Sequence, residues 1–284
     1  DVDKTKAKVE DLKSQGKLPK IAMFGGSVFL FPHPVKELAD FLKGHGMHIN
    51  YDAAHVAGLI AGGKFQDPLR EGTDTMTMST HKTLFGPQGG LVLGFEKHAE
   101  PIKKAMFPGL TSSHHIHHMG AKAVAFAEAL EFGKDYAEQT IKNAKALASE
   151  LNNIGFKVLG EKRGYTESHQ TVVNVLDYGD GGTIEADLEK ANIIVNRQLI
   201  PGDLKANRHY MHPGGIRLGT SEITRLGMKE SEMKEIASLM KQVIVDKKDA
   251  GEIASHVKEF KTDFKKTQYC FDNKLGAYEY VKLR

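Results

Sequence analysis

Asp74-Thr75-Met76-Thr77-Met78-Ser79-Thr80-His81-Lys82-Thr83 is the stretch on which the reading of the chain turns. Residues 74–78 read as a β-strand, and at Ser79 the strand gives way to a polar segment centred on Lys82. The small, glycine-rich run Gly86-Pro87-Gln88-Gly89-Gly90 follows, and 90–95 is a further strand candidate. Upstream, 47–51 is a strand candidate that stops at Asp52, and 21–24 is another that ends at Gly25-Gly26. Between them, 34–42 has the period of a helix, with Val35, Leu38, Ala39 and Leu42 on one face and Gly44 and Gly46 to stop it. Strands separated by helical or loop crossovers predict an α/β layer with a mostly parallel sheet. Ligands of such sheets bind at the carboxyl ends of the strands. Here those ends carry Ser27, the segment from Asp52 to His55, and the segment from Ser79 to Thr83.

Beyond this layer the pattern changes. Residues 120–132 are rich in alanine and leucine and predict a helix. A second helix is expected over 135–152, with Tyr136, Thr140, Ala144, Leu147, Ala148 and Leu151 near one stripe. The last third reads as α+β, with strands at 170–176, 193–196 and 215–219 and a helix over 229–245 that turns Met233, Ile236, Met240 and Val243 inward. From Asp249 on, a lysine-rich, mostly solvated helix and an extended end are expected. The boundary falls at Phe132-Gly133, which gives a large-domain portion over 1–132 and a smaller α+β domain over 133–284.

The chain has 284 residues, 40% hydrophobic and 26% charged, with a formal charge of +3. So small a charge argues against nucleic acid or an anionic membrane as partner. Cys270 is the single cysteine, which rules out an internal disulfide and fits a reducing cytoplasm. No apolar run reaches transmembrane length. The opening Asp1-Val2-Asp3-Lys4 is neither a signal nor a transit peptide, and it lacks an initiator methionine.

A site for an amine-binding cofactor such as pyridoxal phosphate requires a lysine to form a Schiff base and an acid to keep the pyridine nitrogen protonated. Lys82 and Asp52 are the obvious pair. Tyr51-Asp52-Ala53-Ala54-His55-Val56-Ala57-Gly58-Leu59-Ile60-Ala61 resembles a segment of the serine hydroxymethyltransferase family. So do Thr80-His81-Lys82-Thr83-Leu84 with Gly86-Pro87 and Gly89-Gly90, the turn Phe107-Pro108-Gly109, and Gly215-Ile216-Arg217-Leu218-Gly219-Thr220 followed by Thr224-Arg225. The four stretches keep the family's order and spacing, look most like its archaeal branch, and leave only the tail after about Val245 weakly matched.

The resemblance implies the aspartate aminotransferase-like fold of pyridoxal 5'-phosphate enzymes. It implies that Lys82 is the Schiff-base lysine, that Asp52 pairs with the pyridinium, and that His55 lies close to the ring. It also implies that Ser27 stands near the ring's phenolic oxygen, that Thr80 and His81 steer proton transfer, and that Arg217 grips the amino-acid carboxylate. Thr111-Ser112-Ser113 stands where many members have two glycines. Ser112 and Ser113 are thereby expected to offer backbone N–H groups to the phosphate of a partner subunit's cofactor. Two further departures are Gln88, where arginine is common, and Asn196-Arg197-Gln198 in place of Asn-x-Asn at the pterin contact. The implied reaction moves the hydroxymethyl carbon of serine to tetrahydrofolate or tetrahydromethanopterin and leaves glycine, through an aldimine and a quinonoid carbanion. The implied assembly is a cytoplasmic homodimer with active sites shared between subunits. The chain resembles the C-terminal two-thirds of such an enzyme. The acid–base glutamate and much of the phosphate cradle are then expected outside it, the sheet is expected to be incomplete with an unpaired edge, and the chain by itself is expected to be inactive.

Two other readings stand beside this one. A threonine-type β-hydroxy amino-acid aldolase would share Lys82, Asp52 and Arg217 but need no pterin. A truncated, non-catalytic homologue would instead bind a full-length subunit. His114, His115, His117 and His118 include ligand spacing, but no carboxylate or cysteine set accompanies them, so no metal is expected. Gly179-Asp180-Gly181-Gly182 lacks phosphate-loop spacing and reads as a loop. Lys258, Lys261, Lys265 and Lys266 flank Phe260 and Phe264, whose spacing puts both rings on one helical face packed on the body.

Overall fold

A computed structural model describes residues 1–272, 274, 276 and 277. The chain divides into two compact units, Asp1–Lys134 and Asp135–Arg284.

In the first unit the elements run α1 (Val2–Ser14), β1 (Ile21–Gly25), α2 (Val35–Gly44), β2 (His48–Asp52), α3 (Ala57–Ala61), α4 (Pro68–Glu71), β3 (Thr75–Ser79), β4 (Gly90–Gly94) and α5 (Ala99–Lys104). The sheet order is β1-β2-β3-β4. The first three strands are parallel and β4 is antiparallel to β3, so the sheet is mostly parallel. The apolar face expected on α2 is the one buried: Val35, Leu38, Ala39 and Leu42 are all inaccessible. Leu38, Ala39 and Leu42 pack with Met47, Ile49 and Val9 of α1. Helical periodicity does not announce α1, because Val9 is its single buried residue; Asp1 caps it by accepting the Lys4 N–H at 3.1 Å. β1 is an outer strand, with Ile21 and Met23 59% and 64% exposed.

Residues 116–153 form one helix, α6 (Ile116–Asn153), rather than the two expected. Gly133 does not interrupt it. A glycine inside a helix costs only about 1 kcal/mol relative to alanine, which packing readily offsets. Gly133 is buried, and a Cβ there would sit 3.9 Å from Gly62 Cα.

The second unit continues with β5 (Lys157–Val158), β6 (Gln170–Asn174), α7 (Gly181–Lys190), β7 (Asn196–Gln198), β8 (Gly215–Gly219), α8 (Ser221–Arg225), α9 (Glu230–Ile244) and α10 (Ala250–Phe260). Its sheet, in the order β5-β6-β8-β7, is antiparallel throughout. One core joins Val173, Ile184, Leu188, Ile216, Met233, Met240, Ile253 and Val257 from both strands and helices. Two expectations are corrected here. β7 lies at Asn196–Gln198 instead of 193–196, because Ile193 and its neighbours only lead into the pairing with β8. Asp180, Gly181 and Gly182 open α7 instead of forming a loop: the Asp180 carboxylate accepts the N–H groups of Gly182 (2.9 Å) and Thr183 (3.1 Å). α10 is mostly solvated, as expected, with Ile253 and Val257 buried. Phe260 and Phe264 pack against the same core with ring centroids 5.5 Å apart, although the helix ends at Phe260 and a 3-10 turn, not a shared helical face, places Phe264 there. The final part of the expected extended end lies outside the described residues. No helix among the described residues is long and apolar enough to cross a membrane.

Candidate active site

Parallel pairing brings the carboxyl ends of β1, β2 and β3 to one edge of the first sheet. Gly25 stands opposite Asp52, and Asp52 opposite Thr77. Gly25 has φ of +94°, and a Cβ on it would overlap the Asp52 carbonyl, so only glycine lets the chain leave β1 at this point. Ser27 follows this turn and is exposed.

Residues 80–89 connect β3 to the antiparallel β4 and contain Lys82. Fully buried Thr80 organises the loop. Its N–H donates to Gly89 O (3.0 Å), its hydroxyl donates to Pro87 O (2.6 Å), and its carbonyl accepts the Gly86 N–H (2.7 Å). His81 is exposed, and its Nδ1 accepts the Gly89 N–H at a long 3.4 Å. Lys82 is half-buried. Its carbonyl accepts the Phe85 N–H at 2.9 Å, while its Nζ has neither hydrogen bond nor ion pair among the described residues.

On the neighbouring strand end, half-buried Asp52 uses Oδ1 to accept the Ala54 N–H at 2.9 Å. Its Oδ2 has no hydrogen bond among the described residues. His55 is half-buried in the same loop. From behind, Tyr51 of β2 donates its phenol to Gln66 Oε1 at 2.9 Å, and burial, then the charges of Glu71 and Asp52, pushes that phenol's pKa up.

Thr83 is a residue to which sequence reasoning gave no role. Its hydroxyl donates to His55 O (2.9 Å) and accepts the Gly58 N–H (3.0 Å), tying the loop after β2 to the loop after β3. A Cβ on Gly58 would overlap the Thr83 carbonyl, so this close approach also depends on glycine. Lys122 of α6 was missed as well, since nothing in its local sequence sets it apart. Its side chain packs over Gly89, where a Cβ would displace it. Ser112 and Ser113 are exposed in the segment between α5 and α6.

Arg217 belongs to the second unit, at the middle of β8. It is half-buried, and its Nη2 donates to Asn196 Oδ1 on β7 at 3.2 Å. Burial lowers the guanidinium's pKa, and the nearby Tyr210 phenol opposes this. The pterin-contact candidates diverge: Arg197 pairs with Glu185, and Gln198 Nε2 donates to Leu199 O at 3.0 Å. His115 and His117, both exposed, and half-buried His118 place their rings 4.4–5.5 Å apart, with no carboxylate among them.

A family model described as serine hydroxymethyltransferase matches residues 2–240. The chain belongs to that family. It is 77% identical over its whole length to a serine hydroxymethyltransferase of Nitrosopumilus maritimus and 52% identical over 99% of its length to one of Korarchaeum cryptofilum. It spans 64% and 63% of the length of these two relatives. Among solved structures it is similar to the L-threonine transaldolase of Pseudomonas fluorescens in its internal aldimine state. That likeness has a TM-score of 0.84 at 33% identity and covers 97% of this chain and 61% of the other. The family membership agrees with the motifs around Asp52, Lys82 and Arg217, and the transaldolase likeness agrees with an α/β, mostly parallel first unit.

Proposed function

We propose that the protein works as a pyridoxal 5'-phosphate-dependent serine hydroxymethyltransferase. It would convert serine and a tetrahydropterin, tetrahydrofolate or tetrahydromethanopterin, into glycine and the one-carbon-bearing pterin. The observation that carries this reading is the pair at adjacent strand ends: a half-buried Lys82 amine with no partner among the described residues, and an Asp52 carboxylate with one oxygen unused. These groups fit the cofactor. The amine can bond its aldehyde carbon, and the carboxylate can hold a proton on its ring nitrogen.

When bound, pyridoxal phosphate withdraws electrons from the bond that breaks at the amino acid's Cα. The chain's own residues do the rest. Lys82 anchors the cofactor. Asp52 offsets the buried pyridinium charge, which would otherwise be costly. His55 and Ser27 border the ring, and Thr80 and His81 direct protons beside Lys82. Arg217 would hold the substrate carboxylate through two parallel N–H donors and so orient the amino acid. Ser112 and Ser113 offer backbone N–H groups to the phosphate of a partner subunit's cofactor. The working form is a cytoplasmic homodimer with shared sites.

The test uses this chain within a full-length subunit, since the chain spans 64% of the length of its relative. Wild type is expected to show the absorbance of the lysine–cofactor adduct and to make glycine from serine only when a pterin is present. Lys82→Ala is expected to lose both; equal colour in the two proteins would overturn the assignment. The likeness to a threonine transaldolase favours one alternative, a β-hydroxy amino-acid aldolase. Threonine cleavage without any pterin would identify it.

A further inference from the structure

At the opposite end of the first sheet a second polar cluster forms, unconnected with Lys82. His48 begins β2, and Asp74 directly precedes β3. β4 runs back antiparallel, with Gly94 opposite Thr75, so the 3-10 turn Glu96–His98 returns His98 to the same end. His48 and Asp52 stand at the two ends of a five-residue strand, roughly 13 Å apart by the rise of a β-strand.

The three side chains face one another. One ligand atom from each of His48, Asp74 and His98 can be chosen so that all lie within 4.8 Å of one another. His48 Nδ1 is 3.9 Å from Asp74 Oδ2, and His98 Nε2 is 3.7 Å from Asp74 Oδ1. Both distances are too long for hydrogen bonds. The Thr75 hydroxyl donates to Asn50 Oδ1 (2.9 Å), so its oxygen accepts from His48 Nε2 at 2.9 Å. The His48 proton therefore sits on Nε2, and a neutral ring turns its Nδ1 lone pair toward the carboxylate. Facing lone pairs repel unless a cation lies between them. His98 Nε2 is inaccessible to solvent and has no hydrogen-bond partner among the described residues. A buried polar atom left so costs about 1–3 kcal/mol. The carboxylate is 9% exposed, and the Ile49 N–H, donating at 2.9 Å, fixes its Oδ2.

We propose that His48, Asp74 and His98 form a binding site for a divalent cation of the zinc class at the amino-terminal edge of this sheet. Two imidazoles and one carboxylate are a familiar donor set for such an ion, with a fourth position open to water. Bonds of about 2.0–2.2 Å require the donors to close up by roughly an ångström, within the reach of side-chain rotation. The Thr75 and Asn50 hydrogen bonds supply the outer support that orients His48. Lys43 and Lys97, with Nζ 3.9 and 3.7 Å from Asp74 Oδ1, compete with the ion for the carboxylate. Both are partly exposed and can swing into solvent. The ion would brace β2, β3 and the exit of β4 together.

The test is Zn2+ titration of the full chain by calorimetry, with Co2+ absorption as a second probe of the ligands. One equivalent is expected at this site, with a rise in Tm of about 5 °C at hundredfold excess over Kd. His98→Gln and His48→Gln are each expected to weaken this binding at least tenfold. Thr75→Val is expected to weaken it roughly 10–100-fold as a support of His48. Lys97→Gln, which removes a competing charge, is expected to tighten it. The histidines at the start of α6 provide the control, since replacing His115 and His118 by Asn should leave this equivalent in place. Binding that survives both His48→Gln and His98→Gln, or that disappears with His115 and His118, overturns the proposal.

Discussion

In the second unit, α7, α9 and α10 pack with the sheet into one shared core, in which Ile184, Ile216 and Met233 are wholly inaccessible. The first unit is built otherwise. Ile21 and Met23 face outward from β1, and Ile116, Val124 and Leu130 of α6 are 56–90% exposed. Among its described residues, Lys82 Nζ, Asp52 Oδ2 and His98 Nε2 lack hydrogen-bond partners. Buried groups left in this way are expensive, and they concentrate where a protein handles ligands. The contrast therefore sets a unit with one continuous core, which also carries Arg217, against one whose strand ends carry Lys82 and Asp52.

That contrast can be broken by mutation. The largest expected effect on stability is in the second core. Ile184→Ala empties a fully buried position and should destabilise the protein by about 2–5 kcal/mol in denaturant unfolding, with cofactor absorbance unchanged while the chain is folded. A smaller loss would mean that this core is loose and that the contrast is overdrawn. Arg217→Lys should act the other way. It keeps the charge but loses the two-pronged grip, worth about 1.5–3 kcal/mol for bonds to a charged group, or roughly 10–100-fold in kcat/KM for serine. Its Tm should scarcely move, and a large fall in Tm with unaltered kinetics would reassign Arg217 to structure.

Asp180→Ala removes the cap of α7 and should cost about 1 kcal/mol, read from the unfolding midpoint. The smallest effect belongs to His33 in the first unit, whose pKa burial lowers. The unfolded chain takes up this proton near pH 6.5 and the folded chain only at lower pH. Stability is therefore full above about pH 6.5 and declines as the pH falls toward the folded pKa, with a slope below the limit of about 1.4 kcal/mol per pH unit. His33→Gln should flatten this acid limb, and an unchanged limb would remove His33 as its source.

Much of this arrangement was legible in the residues themselves. The apolar spacing of 34–42 gave the buried face of α2, and the strand candidates ending before Gly25, Asp52 and Ser79 located three strands whose ends carry the candidate residues. Local signals failed where packing overrode them. Gly133 looked like a break but lies inside a packed helix, and Gly181-Gly182 looked like a loop until Asp180 capped it. Thr83 was in view within its motif, yet its two hydrogen bonds reach residues 25 and 28 positions away.

By itself, the sequence determined the four strands and α2 of the first layer, the family, and the candidates Lys82, Asp52 and Arg217. Each of these rests on short-range periodicity or on a contiguous motif, which chain order preserves. Only the tertiary structure decided that β4 turns back antiparallel, that Thr83 links two loops, and that His48, Asp74 and His98 converge. Those three residues are far apart along the chain and share no motif. Strand pairing and the return of β4 bring them together, and no local pattern in the sequence encodes that approach.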